Sequence, residues 1–188
     1  MKTYNAKRTG TKVVTGKVRL SYAHLHEAKS IDGGEPKYSV SLIIPKEDKK
    51  TLKTIQEAVN EAKENGKGLW GGKVPANLKT PLRDGDDERP DDDAYADSYF
   101  LNANSKHKPE IVDLKGNKNV GEDEVYSGCY ARVSINFYGF NVSGNRGIAC
   151  GLGNVQKLDD GERLGGGGST ADEDFEYEDS DADDDFLD

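Results

Sequence analysis

The sequence predicts a mainly β domain with one helix inserted between its strands and an acidic tail behind it. Three observations lead there. Several stretches alternate apolar and polar residues with period two, most clearly inside YSGCYARVSINFYGF at 126–140. There Ala131, Val133, Ile135 and Phe137 fall on one side, and Tyr130, Arg132, Ser134, Asn136 and Tyr138 on the other, the pattern of a half-buried strand. Only 47–65 has helical spacing, with Leu52, Ile55, Val59 and Ala62 on one stripe. Finally, charge is segregated. The 188 residues carry a net charge of −9. Residues 159–188 hold 14 acids and one Arg, whereas 1–158 hold 21 acids and 25 bases. A basic body with an acidic end points to nucleic-acid business.

Composition excludes some classes. Hydrophobic content is 34%, so part of the chain is expected to stay unfolded. No apolar run is long enough for a membrane span, and MKTYNAKRTGTK has no secretory core. The two cysteines, Cys129 and Cys150, stand far apart and read as reduced, buried thiols of a cytoplasmic protein.

In chain order, residues 1–12 read as a loose basic arm. Val13–Tyr22 reads as a strand with Val14, Val18, Leu20 and Tyr22 inward and Lys17, Arg19 and Ser21 outward. A turn at Ile31–Gly34 leads to a second strand, Lys37–Ile44. His24 and His26 form an HxH, but no partner pair stands at zinc spacing. The helix at 47–65 should be capped by Gly66. In 66–93, Trp70 stands between glycines; it is either a plug over the core or an exposed stacking platform, and the two readings stand level. The acids from Asp84 to Asp97 do not match a calcium loop and read as an exposed acidic turn. Further strands are expected at Ser98–Asn104, Glu110–Leu114 and Ile148–Leu158, with a turn at 141–147. Gly147, Gly151 and Gly153 suit bending or close approach rather than a phosphate loop.

These strands, with a helix between the second and third, suit an OB-like Greek-key barrel spanning 13–158. Residues 159–170 read as a Gly-rich linker, and 171–188 as a disordered acidic tail. The tail sets Phe175, Tyr177, Phe186 and Leu187 among acids that include Asp183, Asp184 and Asp185. Such a mixture copies the charge and the stackable rings of a single nucleic-acid strand.

The body resembles a family of phage-encoded single-stranded DNA-binding proteins. The resemblance is carried by PLRDGD at 81–86, KPEIVD at 108–113, VYSGCYARVSINFYGF at 125–140 and GNRGIACGLGNVQKLDDGE at 144–162. It implies an OB-like fold, sequence-tolerant binding of ssDNA, and a tail that recruits replication or recombination partners in an infected host cell. The tail ends in Asp188, not in the bare Pro-Phe of bacterial counterparts. The site residues come from the strand reading. Tyr130 and Tyr138 are expected to stack bases, Lys17, Arg19 and Arg132 to neutralise phosphates, and Trp70 to close over the strand. No cofactor or metal is expected. Two other readings are a metal-dependent nuclease using 84–97 and an acidic DNA mimic acting through the tail.

Overall fold

The structure is a computed structural model that describes residues 3–30, 33–164 and 175. Its strands are β1 (Lys7–Thr9), β2 (Lys12–Val14), β3 (Val18–Lys29), β4 (Lys37–Pro45), β5 (Arg83–Asp84), β6 (Ser98–Ser105), β7 (Ile111–Val112), β8 (Tyr130–Val142) and β9 (Asn145–Asp159). The main helix, α1 (Lys49–Asn65), lies between β4 and β6, and a one-turn helix, α2 (Gly85–Glu88), follows β5. No helix among the described residues is long and apolar enough to cross a membrane.

Five strands close a ring in the order β3-β4-β6-β9-β8, with β8 returning to β3. All neighbours are antiparallel except β6 and β9. This is the expected Greek-key barrel, and closure leaves the ring without an edge. The alternation of β8 is realised in full: Ala131, Val133, Ile135 and Phe137 are buried. The β8–β9 turn is tighter than the 141–147 expected. It consists of Ser143 and Gly144, both at positive φ, the two-residue geometry that matches strand twist.

The chain from 7 onward is not a loose arm. β1 and β2 form a hairpin around Gly10, at φ +62, and β2 continues onto β8. The single strand expected over Val13–Tyr22 is therefore broken between β2 and β3. Thr15 spans the break, its N–H donating to Val133 O at 3.0 Å and its hydroxyl accepting from Val133 N at 3.1 Å. The N-terminus of α1 docks there too. Asp48 caps the helix by accepting from Thr51 N at 3.1 Å, and the buried Thr51 hydroxyl accepts from Gly16 N at 3.2 Å. Ile55, Ala58, Val59 and Ala62 are buried beneath the helix.

Gly66 ends α1, but not in the left-handed conformation usual for a glycine cap: its φ is −88. A Cβ there would lie 2.7 Å from Trp70 Cη2, and one on Gly139 would lie 2.9 Å from Trp70 Cζ2. Two glycines thus make room for one indole. Trp70 is 8% exposed, and its Nε1 donates to Phe140 O at 3.0 Å. Of the two readings of Trp70, the structure shows the plug. A closed platform offers no free ring face to a base, so Trp70 drops out as a stacking residue. Cys129 and Cys150 are free and buried, and burial pushes both thiols above their ordinary range. Of the tail, Phe175 is exposed; Tyr177, Asp183, Asp184, Asp185, Phe186 and Leu187 lie outside the described residues.

Trp70→Ala is expected to cost roughly 3–5 kcal/mol, read by urea unfolding. Gly139→Val should displace the same ring from below and cost roughly 1–3 kcal/mol. Equal unfolding midpoints in Trp70→Ala and wild type would contradict the plug.

Candidate nucleic-acid interface

The outer face of β3, β4 and β6 is built from cross-strand rows. Arg19, Ile43 and Phe100 form one, Ser21, Ser41 and Asn102 the next, and His24, Ser39 and Asn104 the third. The third row exists because β3 bulges. Between Ser21 and His24 the strand advances three residues while β4 moves from Ser41 to Ser39. Tyr22, within the bulge, has φ +46. The extra residue inverts the parity of β3: Leu20 is buried before it and Leu25 after it. Tyr22, expected inward from its spacing, is instead 46% exposed. Bulges re-aim side chains in this way.

The first row is covered by 83–97. Tyr95, Phe100 and Ile43 make a small second core, with the Tyr95 ring edge-on to Phe100 at 5.0 Å and its hydroxyl donating to Ser41 Oγ at 3.0 Å. Four of the eight acids of this segment, Asp84, Asp86, Glu88 and Asp92, are used internally. Lys46 Nζ lies 3.0 Å from Asp84 and 2.8 Å from Asp86, and Asp86 also accepts from Asp97 N at 2.9 Å. Arg83 pairs with Glu88, and Asp92 accepts from Ala94 N. Lys46 and the Asp97 amide hold the Asp86 carboxyl below its usual range. No group of three His, Cys, Asp or Glu among the described residues is placed to hold a metal. The expected acidic turn is thus a folded lid over half of the sheet's outer face.

The other half is open. A cleft of about 510 Å³ is lined by Tyr22, His24, Ser39, Ser41, Asn102 and Asn104, with Lys29, Lys37 and Arg89 around it. The side chains of His24, Ser39, Asn102 and Asn104 make no hydrogen bond within the described residues. Arg89 reaches in from the lid, its guanidinium 5.5 Å from the Tyr22 ring and 5.5 Å from Phe100. It has no carboxylate at ion-pair distance among the described residues. Glu35, the acid of the lining, is drawn off by Lys106 at 3.2 Å. Burial, and then Lys29, lower the pKa of His24, which favours its neutral form.

The residues expected to bind from the strand reading separate. Lys17 and Arg19 gather at Tyr130, 4.9 Å and 5.7 Å from its ring. Both also hold the chain that follows β9. Arg19 Nη2 donates to Glu162 O at 2.7 Å, and its Nε donates to Gly128 O at 3.1 Å; Lys17 lies 3.4 Å from Asp159. Tyr126 bonds Asp160, Leu164 N donates to Ser127 O, and Leu164 packs on the second core. Residues 159–164, expected to begin a linker, are therefore a packed strap that delivers the chain to the lid. Arg132 is committed as well: it donates to Thr15 O and Asn5 O, each at 3.0 Å. Tyr138 remains 46% exposed. Eight residues of strand, roughly 25 Å, separate it from Tyr130. Sequence reasoning missed Tyr22, hidden by the bulge, and Arg89, hidden inside an acidic run. An arginine with no helical or strand pattern around it gave no signal.

A family model described as "Enterobacter phage Enc34, ssDNA-binding protein" matches residues 11–187. A solved structure of the single-stranded DNA-binding protein from bacteriophage Enc34 in complex with ssDNA aligns with TM-score 0.75 and 26% identity. The alignment covers 87% of this chain and 99% of that one. Protein p50 of Acyrthosiphon pisum secondary endosymbiont phage 1 is 29% identical over 88% of this chain and 92% of its own length. The single-stranded DNA-binding protein gp2.5 of bacteriophage T7 shares the fold, at TM-score 0.58 and 16% identity, over 86% of this chain and 91% of that one.

The lid makes a titration prediction. Asp86 has a lowered pKa in the folded state, so its contribution to stability is present above the ordinary carboxylate value of about 3.9. That contribution is lost as pH falls through the folded value. Lys46→Met should raise the Asp86 midpoint toward about 3.9 and loosen the lid at neutral pH, with the difference from wild type closing in acid. The Asp97 amide shift followed by NMR reports both; an unmoved midpoint would remove Lys46 as the cause.

Proposed function

Because the chain belongs to the family of the Enterobacter phage Enc34 ssDNA-binding protein, we propose that it binds single-stranded DNA across the open cleft on β4 and β6. The observation that carries this reading is the cleft itself. In barrels of this type the face of the second and third strands takes oligonucleotides, and β4 and β6 hold those places in the ring. Here that face carries an outward Tyr22, cations at Lys29, Lys37 and Arg89, and Glu35, an acid already paired.

Each group has a role that follows from its chemistry. A base stacks on Tyr22, with the Arg89 guanidinium beside the ring. Lys29, Lys37 and Arg89 neutralise phosphates and release counterions. Asn102 and Asn104 each offer a donor and an acceptor, and Ser39 can serve as either. Amides that rotate to suit any base edge favour binding tolerant of sequence. Lys17, Arg19, Tyr130 and Arg132 act one step removed, by fixing the strap and the N-terminal hairpin.

The acidic tail completes the proposal. Leu164 lies against the lid, so the tail starts on the same face as the cleft. It competes with DNA there through its carboxylates and its aromatics Phe175, Tyr177 and Phe186. Once displaced, it is free for a replication or recombination partner in the infected host cell. The nuclease alternative finds no support, because Asp84 and Asp86 are tied to Lys46.

Fluorescence anisotropy with labelled oligo-dT tests the cleft, with duplex DNA as comparator. Arg89→Ala and Lys37→Ala should each weaken binding by roughly tenfold at low salt and reduce the salt slope by about 0.7 for each phosphate no longer neutralised. Wild-type affinity and slope in both variants would sink the cleft reading. Truncation after Leu164 should tighten binding at low salt and matter less at high salt. An unchanged affinity at low salt would argue against tail competition.

A further inference from the structure

Gly151 has no packing reason to be glycine. β8 and β9 contain four glycines: Gly139, Gly147, Gly151 and Gly153. A Cβ on Gly139 would meet Trp70 at 2.9 Å, one on Gly147 would meet Lys79 O at 2.7 Å, and one on Gly153 would overlap Ser134. On Gly151 it would find only Asn136 O at 3.5 Å and Tyr138 Cε1 at 3.6 Å, which are ordinary van der Waals distances. Its φ is not positive either. A glycine inside a strand weakens it, and nothing among the described residues requires this one. Such a glycine marks a place where a ligand or another backbone comes close.

Its position indicates which ligand. Cys150 and Leu152 on either side are buried, so Gly151 faces outward. It pairs with Asn104 of the cleft on one side and with Asn136 on the other. The exposed Tyr138 ring leans toward it from β8. Gly151 is therefore a low saddle between the cleft and a free aromatic face, which are two strand spacings, or about 10 Å, apart.

We propose that the bound DNA strand leaves the cleft over Gly151 and stacks a further base on Tyr138. This rests on the cleft reading above and extends it into a path that bends around the barrel from Tyr22 to Tyr138. The glycine lets the sugar-phosphate chain pass close to the β9 backbone. A branched side chain there would raise a barrier in its way.

The test is the dependence of affinity on oligo-dT length, measured by anisotropy. Wild type should gain affinity as the oligomer grows long enough to leave the cleft. In Gly151→Val, whose side chain suits a strand, and in Tyr138→Ala, that gain should shrink by roughly five- to a hundredfold. Tyr138→Phe should restore it, since stacking needs no hydroxyl. A wild-type gain in both Gly151→Val and Tyr138→Ala overturns the path. Tyr138→Ala is a surface change and answers the question even if the valine variant fails to fold. Arg89→Ala separates the two readings. If it weakens every length while the other variants keep the gain, the path alone falls. If it weakens none, the cleft falls and the path with it.

Discussion

Everything else in this fold depends on β8 serving two sides of a closed ring. It pairs with β9 along nearly all its length, with β3 at one end and with β2 further along. A strand so placed buries every second side chain from Ala131 to Phe137, because a one-residue slip would turn Val133 and Ile135 outward. The constraint explains the Thr15 break. One continuous strand could not follow β8 and still turn into the cleft wall, so the chain divides into β2 and β3. Thr15 and Arg132 then satisfy the backbone groups left at the gap.

Closure leaves the outer face as the place where function can vary. The chain covers half of that face and leaves half open. The covering lid is rich in acids, an unexpected choice beside a cleft proposed to take a polyanion. Its carboxylates at 84 and 86 are, however, turned onto Lys46, and its Arg89 faces the cleft. The sign of charge that reaches a ligand is set by which side chains the lid spends on itself, and composition does not reveal that division.

The sequence was legible wherever periodicity met no interruption. The alternation of 130–138 and the helical stripe of 47–65 were readable because each residue obeyed one local rule. The mainly β barrel followed from them, whereas the family came from the resemblance carried by 81–86, 108–113, 125–140 and 144–162. The site was less legible for three physical reasons. A bulge of one residue reversed the meaning of parity at Tyr22. Arg132 and Arg19 looked like free cations, but they bond carbonyls that are remote in sequence. Trp70 stood between glycines that could equally have framed a platform. Only the indole's fit against Gly66 and Gly139 separated the plug from the platform. The strap at 159–164 escaped notice because its partners, Tyr126, Ser127 and Arg19, lie far back in the chain.

The strap has a consequence for how such a protein responds to its own abundance. On the proposed competition, a tail tethered at Leu164 would meet the cleft of its own molecule at an effective concentration fixed by the tether and not by the number of protein copies. Dilution does not change that figure. Under that proposal, occupancy of the cleft by the tail would be the same in a cell that has made few copies as in one that has made many. Ionic strength, a long enough stretch of DNA, or a protein that captures the tail would then be what lifts it.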